Sequence, residues 1–358
     1  MRGYKPLAMN LLNNIIILDF TRLLPGPLAT HLLAQMGARV IKVEHPKRMD
    51  YARYSGPPVE GQSALFRALN HNKEIRNIAY DTEAGKAEIE ALIAGSNVLI
   101  EQFRPGAMQS WGLGYEAVKA LREDIVYASL TGYGQEGPMA QAAGHDLNYL
   151  ALSGLLSLMK DEQGKPVVPG FQLADIGAGA YLAAMSCLAA LVNRMQSGAG
   201  CYLDLSMTAG ALPLLTLPLS LMWSGLDPAQ FNFLDGKTVA NYTVYACADG
   251  KWISVAALEI KFWNQLCECL NKPEWKRRNE LELSNEQFPK AAVEALFLTR
   301  SRDAWVAFFA GEDVCVAPVL ELSELESHEY WRERAAFETL HTGSGKAYKT
   351  LDLPFRVS

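Results

Sequence analysis

The stretch "IIILDFTRLLPGPLATHLLAQMGARVIKVE", residues 15–44, decides the fold class. It opens with a short apolar run, residues 15–20, that predicts a buried strand. The turn "TRLLPGP" follows, Pro27 suits the first position of a helix, and Gly37 ends the helix "LATHLLAQM". The run "RVIKVE" then predicts a second strand. Strands that alternate with helices in this way are typical of a parallel sheet.

The same alternation continues through the first half of the chain. The pattern predicts a helix after Asp81 that ends near Gly95, a strand "NVLIEQF", a helix over residues 115–121 and a strand "IVYASL". The predicted fold class is therefore α/β. Ligands of such sheets bind beyond the carboxyl ends of the strands. The loops expected there are "TRLLPG", "EHPKRMD", "EQFRPG" and "TGYGQEGP".

Composition excludes several classes of protein. The 358 residues carry a net charge of −6, which argues against nucleic acid as a partner, so an anionic ligand needs a local basic cluster. Six scattered cysteines without a CxxC pair predict reduced cytosolic thiols and no metal site. The N-terminus has no signal-peptide pattern, so we expect a cytoplasmic protein. The apolar run 176–192 is shorter than the roughly 20 residues of a membrane span and predicts a buried core helix.

Two common nucleotide-binding motifs are missing from the sequence. No GxGxxG follows the first predicted strand, and no GxxxxGK[ST] occurs in the chain. Both motifs supply backbone N–H groups to phosphates at the start of a helix. A nicotinamide-dependent dehydrogenase and a P-loop NTPase are therefore disfavoured.

The second half of the chain has a different character. The run "ALPLLTLPLSLMW" contains two prolines and no charge, which predicts a buried segment that crosses between domains. Two β-rich runs flank Asp249-Gly250, which is a strong hairpin signal. We predict a large domain over 1–206, a linker over 207–237, a smaller α+β domain over 238–319, and a return of 320–358 to the large domain.

The stretch "QAAGHDLNYLALSG", residues 141–154, places His145 and Asp146 before an apolar run. Asp146 is a good N-cap residue, and His145 could be its hydrogen-bonded neighbour. Taken alone, these residues favour helix capping over catalysis.

Six motifs, in order, resemble those of the family III CoA-transferases, and among them the α-methylacyl-CoA racemases. They are "LDFTRLLPGPLATHLLAQMGARVIKVEHP", "LIEQFRPGAMQSWGLGYE", "LTGYGQEGPMAQAAGHDLNYLALSG", "FQLADIGAGA", "CADGKWISVAALEIKFW" and "DVCVAPVLELSE". The resemblance implies a Rossmann-like large domain, a small domain, and two chains interlocked as a homodimer. It implies an acyl-CoA thioester as substrate, a role in lipid metabolism, and no cofactor beyond the CoA of the substrate.

The resemblance also implies a mechanism of racemisation. Inversion at the carbon next to a thioester needs one base on each face of that carbon. His145 and Asp175 match the two bases of the family, Asp146 would support the imidazolium, and Glu259 matches an acid of the small domain. An apolar pocket would raise the pKa of Asp175 towards that of histidine. The first N–H groups of a helix that starts near Asp146 would stabilise the enolate oxygen.

Further residues match CoA contacts of the family. From the residues alone, ordinary surface salt bridges would be preferred for Lys73 and Arg104. The chain departs from the family pattern at His45, where an arginine is frequent, and at Ser110, where a basic residue is frequent. The predicted contacts are His45, Asn72, Lys73, Gln102, Phe103, Arg104, Gly144 and Tyr149.

Two alternatives stay open beside the racemase. In a CoA-transferase, Asp175 would attack the thioester as a nucleophile and form an acyl anhydride. Transferases of the family generally lack the histidine at position 145, which favours the racemase. A non-catalytic acyl-CoA binding protein would need neither base.

Overall fold

The computed structural model describes residues 11–227, 236–237, 239–278 and 290–355. The chain divides into two compact units, which we describe separately. The first comprises Met1–Leu215 together with Arg332–Ser358, and the second comprises Thr216–Trp331. The domain boundaries at 206, 237 and 319 stay a prediction.

The first unit is built on a six-stranded parallel sheet, which confirms the predicted α/β class. Its strands in space follow the order β3-β2-β1-β4-β5-β6. This is the Rossmann order, in which the direction of winding reverses between β1 and β4, and ligands bind beyond the carboxyl ends at that point. The strands are β1 Ile16–Phe20, β2 Arg39–Glu44, β3 Glu74–Asn77, β4 Val98–Glu101, β5 Val126–Thr131 and β6 Cys201–Ser206.

Helices connect these strands. The first, α1, begins at Pro25 and not at the predicted Pro27, because the backbone is already helical there. The helices of the chain are α1 Pro25–Gln35, α2 Ala64–Asn70, α3 Glu83–Ala94, α4 Ala107–Ser110, α5 Tyr115–Leu121, α6 Asp146–Ser153, α7 Leu182–Ser197, α8 Met207–Gly210, α9 Thr216–Trp223, α10 Ile260–Cys269, α11 Lys290–Phe297, α12 Arg302–Phe308 and α13 Glu329–Arg334. Short 3₁₀ segments cover Tyr51–Tyr54, Leu155–Ser157, Leu212–Leu215, Pro273–Trp275 and Leu322–Ser327.

A π-helix, Ala174–Tyr181, runs directly into α7. Together they form a 24-residue helix that is long and apolar enough to span a membrane by length and composition. The predicted shorter apolar run therefore underestimated its length. Core helices can have the same length and apolar composition. This helix packs on α1 and on β5, and 44% of its most apolar 18-residue stretch is buried. One face of α7 is nevertheless exposed, at Met185, Val192 and Met195.

The second unit contains a three-stranded antiparallel sheet: β7 Tyr242–Ala246, β8 Trp252–Ala256 and β9 Val316–Pro318. The predicted hairpin at Asp249-Gly250 is confirmed, since it joins β7 to β8 and Gly250 has a φ of 76°. Aromatic side chains of α10, α11 and α12 pack on this sheet. The predicted burial of the segment 211–223 is confirmed at Ala211 and Leu215 but is wrong for α9, in which no residue is buried.

Two further hairpins belong to the first unit. Two-residue strands pair at Pro58–Val59 and Gln62–Ser63. Near the C-terminus, β10 Phe337–His341 pairs with β11 Ala347–Leu351, and Tyr348 on β11 packs edge-on against His71.

Candidate active site

A cavity of about 320 Å³ lies in the first unit at the carboxyl edge of the parallel sheet. Its walls come from the loops after β1 and β4, from the end of β5 and the residues that follow it as far as 145, and from the starts of α6 and the π-helix. The winding of the sheet reverses between β1 and β4. The cavity therefore occupies the place where doubly wound folds bind ligands.

Most of the predicted site residues meet at this cavity. His145 and Asp175 both contribute to its wall, although they are distant in sequence. Asp146 lies beside them, because its carboxylate accepts a hydrogen bond from the backbone N–H of Asp175. Five of the eight predicted CoA contacts also line the cavity: Gln102, Phe103, Arg104, Gly144 and Tyr149.

His145 is the N-cap residue of α6, and Asp146 is the first residue of the helix. The predicted capping role of Asp146 is thus wrong, since the backbone N–H of His145 donates to Asn148 Oδ1 at 3.1 Å to close the helix start. The His145 side chain is exposed on the cavity side. The first N–H groups of a helix have no acceptor within it, so the positive end of α6 lies at the cavity.

The carboxylate of Asp146 links the two predicted bases. Its Oδ1 accepts a hydrogen bond from the backbone N–H of Asp175 at 2.8 Å. The start of α6 is thereby tied to the π-helix that carries Asp175. A displacement of either element would break this contact, so the contact fixes the spacing of the pair.

Burial and, to a smaller extent, the charge of Asp146 raise the pKa of Asp175 to about 6, against the opposing effect of His145. The rise expected from an apolar pocket is therefore confirmed. Asp175 can therefore give or take a proton near neutral pH.

Two tyrosines shape the floor of the cavity. Tyr149 donates from its hydroxyl to the carbonyl oxygen of Gly144 at 2.6 Å, and Tyr133 packs edge-on against it. A Cβ atom at Gly132 or Gly144 would lie within 2.5 Å of one of these side chains. Glycine is required at both positions because the rings occupy that space. Sequence reasoning missed Tyr133, although "GYG" placed it between two glycines after β5.

Basic and aromatic side chains line the same edge of the sheet. The Arg104 side chain is exposed and, within the described ranges, makes no ion pair or hydrogen bond, while the carbonyl oxygen of Arg104 accepts the backbone N–H of Ala107 at 3.0 Å. The Arg22 guanidinium lies 4.7 Å from the ring centre of Phe103, and that of Arg48 lies 5.0 Å from the ring centre of Trp111. Of these arginines, Arg104 lines the cavity, Arg22 lies over Phe103 of the cavity wall, and Arg48 is paired with Asp81 at 3.5 Å.

Lys73 lies away from the cavity. Its side chain is fully buried beside Asp19, with Nζ and Oδ2 3.0 Å apart. The ammonium also donates to the carbonyl oxygen of Pro27 and to Thr30 Oγ1, at 2.8 and 2.7 Å. Burial lowers the pKa of Lys73 to about 8, while Asp19 opposes the fall. The surface salt bridge preferred from the residues alone is wrong, because this ion pair belongs to the interior.

His45 and Asn72 are also outside the cavity wall. His45 is buried, and its Nε2 lies 2.8 Å from Asp81 Oδ1. Asn72 pairs with His31 through Oδ1 and Nδ1 at 3.0 Å. Glu259 lies in the second unit, exposed, immediately before α10. A direct CoA contact by His45, Asn72 or Lys73 stays a prediction.

Fold and site together define a doubly wound α/β protein with a histidine–aspartate pair at its switch point. Comparison of the sequence and the structure with those of known proteins identifies its family. A family model described as CoA-transferase family III matches residues 12–358. The chain belongs to that family, which supports an enzyme that acts on acyl-CoA.

Individual relatives within the family differ in activity. The chain is 33% identical over 334 residues to alpha-methylacyl-CoA racemase of Homo sapiens, covering 92% of this chain and 82% of that protein. It is 31% identical over 326 residues to succinyl-CoA:glutarate CoA-transferase of Mus musculus, covering 89% and 74%. Among solved structures, a CAIB/BAIF family protein from Brucella suis matches with a TM-score of 0.80 at 27% identity, covering 96% and 92%.

Proposed function

We propose that this protein racemises 2-methylacyl-CoA thioesters by moving the α-proton between His145 and Asp175. One observation carries the proposal: both side chains line one cavity, and the pKa of Asp175 is raised to about 6. A reversible two-base reaction requires each base to be protonated by turns. An aspartate whose pKa is raised towards neutrality meets that requirement better than an ordinary aspartate.

The two bases would act on opposite faces of the α-carbon. In one direction His145 removes the proton and protonated Asp175 returns one to the other face. In the reverse direction the roles exchange. Asp146 would stabilise the imidazolium of its neighbour His145, while the hydrogen bond to the Asp175 backbone keeps the bases at a fixed spacing. The positive end of α6 would lower the energy of the enolate oxygen.

The CoA portion would be held at the basic rim. The chain has a net charge of −6, so the phosphates need local positive charge. The Arg104 side chain is exposed and would bind a phosphate. The Arg48 guanidinium packs on the ring of Trp111, and Arg48 itself belongs to the segment that follows His45. Arg48 would thus offset the arginine that the family pattern has at position 45.

We propose further that two chains form an interlocked homodimer and that Glu259 acts at the active site of the partner. Exposed apolar side chains support this: Met185, Val192 and Met195 on α7 and Trp223 on α9. An exposed apolar face such as that of α7 is typical of an interaction site. A cytoplasmic location stays a prediction.

Deuterium exchange tests the proposed reaction. A single enantiomer of a 2-methylacyl-CoA, incubated in D₂O, should gain deuterium at the α-carbon and lose optical purity without a second acid. His145→Ala should slow exchange from one enantiomer far more than from the other, and Asp175→Ala should show the opposite bias. General acid–base groups contribute about 10²–10⁴-fold, so the asymmetry is measurable. His341→Ala, an exposed histidine on β10, serves as the matched control.

A CoA-transferase is the second candidate, favoured by relatives such as the mouse succinyl-CoA:glutarate CoA-transferase. The Asp175 carboxylate would then attack the thioester carbonyl, expel CoA as thiolate, and form an acyl anhydride. Hydroxylamine would trap that anhydride. Transfer of CoA to an added carboxylate without α-exchange would replace the first proposal by this one.

A further inference from the structure

The loop between β1 and α1 holds one residue in an unfavourable backbone conformation. Leu23 has a φ of 65°, in the left-handed region, and it forms part of the cavity wall. Residues with a Cβ atom avoid this region because Cβ approaches the following carbonyl oxygen. Such a conformation persists only where surrounding contacts enforce it.

Asp50 supplies the enforcing contact. Its Oδ1 accepts the backbone N–H of Leu23 at 2.9 Å, although the two residues belong to different loops. The same oxygen accepts the N–H of Ala52, which fixes the carboxylate at the start of the 3₁₀ segment. Asp50 is completely buried. Its position is therefore rigid, and so is that of Leu23.

Lys42 on β2 completes the arrangement. Its Nζ lies 3.0 Å from Asp50 Oδ2 and donates to the carbonyl oxygen of Thr21 at 2.7 Å, with both side chains fully buried. The ion pair thus holds the loop at two backbone positions, Thr21 and Leu23. Tyr51, next to Asp50, lies under the Arg22 guanidinium at 5.3 Å. Thr21, Arg22 and Leu23 are thus each held by a contact with Lys42, Tyr51 or Asp50.

We propose that Asp50 is a positioning residue that shapes the cavity wall for the CoA thioester by holding Leu23 in the left-handed conformation. The inference rests on the proposed site at this cavity. Without the acceptor, Leu23 would relax to an ordinary φ, and the binding-competent wall would form only part of the time. Apparent affinity falls in proportion to that fraction, and the bias of a non-glycine residue against this conformation sets the loss at roughly tenfold.

The test measures affinity and stability separately. Calorimetry with free CoA and with 2-methylbutanoyl-CoA gives the affinity, and the thermal midpoint reports stability. Asp50→Ala should lose about tenfold in affinity. Asp50→Asn keeps an acceptor oxygen, so its affinity should stay within about twofold while its midpoint falls, because Lys42 loses its buried counter-charge. Equal losses of affinity in both variants would reduce Asp50 to a structural role and overturn the proposal.

Glycine at position 23 provides the decisive control. Glycine adopts positive φ without strain. In the Leu23→Gly background, Asp50→Ala should therefore cost little affinity but still lower the midpoint. An undiminished loss of affinity in that background would contradict the proposal.

Should Asp50→Ala not fold, the pair Lys42→Met with Asp50→Leu removes both buried charges at similar volume, which proteins often tolerate. This double variant should fold and lose about tenfold in affinity. Wild-type affinity in it would overturn the proposal. Normal CoA binding without α-exchange would reject the racemase and leave the role of Asp50 intact, whereas a wild-type chain that binds no CoA thioester would overturn both.

Discussion

Asp175→Asn should make the protein more stable at pH 8 and leave it nearly unchanged at low pH. Burial of Asp175 raises its pKa from 3.8 to about 6, so the folded state binds the proton more tightly than the unfolded state. Stability therefore falls as pH rises from the unfolded value through the folded one, and the whole loss is present above about pH 7. Asparagine resembles the neutral acid in shape and never ionises, so it avoids this loss.

The size of the effect follows from the pKa values. A rise from 3.8 to about 6 corresponds to an upper bound of about 3 kcal/mol at pH 8, at about 1.36 kcal/mol per pKa unit. At pH 5 about half of this remains. Water reaches part of the side chain through the cavity, so we expect about 1–3 kcal/mol at pH 8. The backbone contact to Asp146 is unaffected, because the Asp175 N–H makes it.

Unfolding monitored by calorimetry and by urea at pH 5 and pH 8 measures the difference between variant and wild type. Glu90→Gln removes an exposed carboxylate on α3 and should show no such pH-dependent gain. An Asp175→Asn variant that is less stable at pH 8, or equally stabilised at both pH values, would refute the argument that burial dominates at Asp175.

Three further outcomes are expected. Arg104→Ala should raise the calorimetric Kd for CoA by about tenfold and weaken its salt dependence, since each phosphate contact contributes to that dependence; unchanged affinity would remove Arg104 from the site. Lys73→Met should lower the free energy of unfolding by about 3–5 kcal/mol in urea titrations, because Asp19 stays buried without its main partner, and a loss below about 1 kcal/mol would contradict the buried pair. Co-expression of Glu259→Ala with His145→Ala subunits should restore part of the activity in heterodimers; a fully active monomer by light scattering would exclude the shared site.

Much of the fold could be predicted from local patterns. Apolar runs bounded by turn residues located β1, β2, β4 and β5, because a buried parallel strand needs apolar side chains on both faces. The Asp249-Gly250 turn located the hairpin, because glycine tolerates its positive φ. Helix bounds were less certain, and α1 begins two residues before the expected Pro27 because Pro25 is equally compatible with a first helical turn.

The sequence by itself determined the kinds of chemistry that this protein can carry: a histidine beside an aspartate at a helix start, a second aspartate before an apolar helix, and arginines in strand-end loops. Only the tertiary structure decided which of these meet. In the fold, Asp175 and His145 line the same cavity, and Asp146, next to His145, accepts a hydrogen bond from the Asp175 backbone. Lys73 is instead buried beside Asp19. The reason is physical: sequence patterns report contacts between near neighbours along the chain. Burial, pKa and hydrogen-bond partners depend instead on residues that the crossover of the sheet brings together from far apart in sequence.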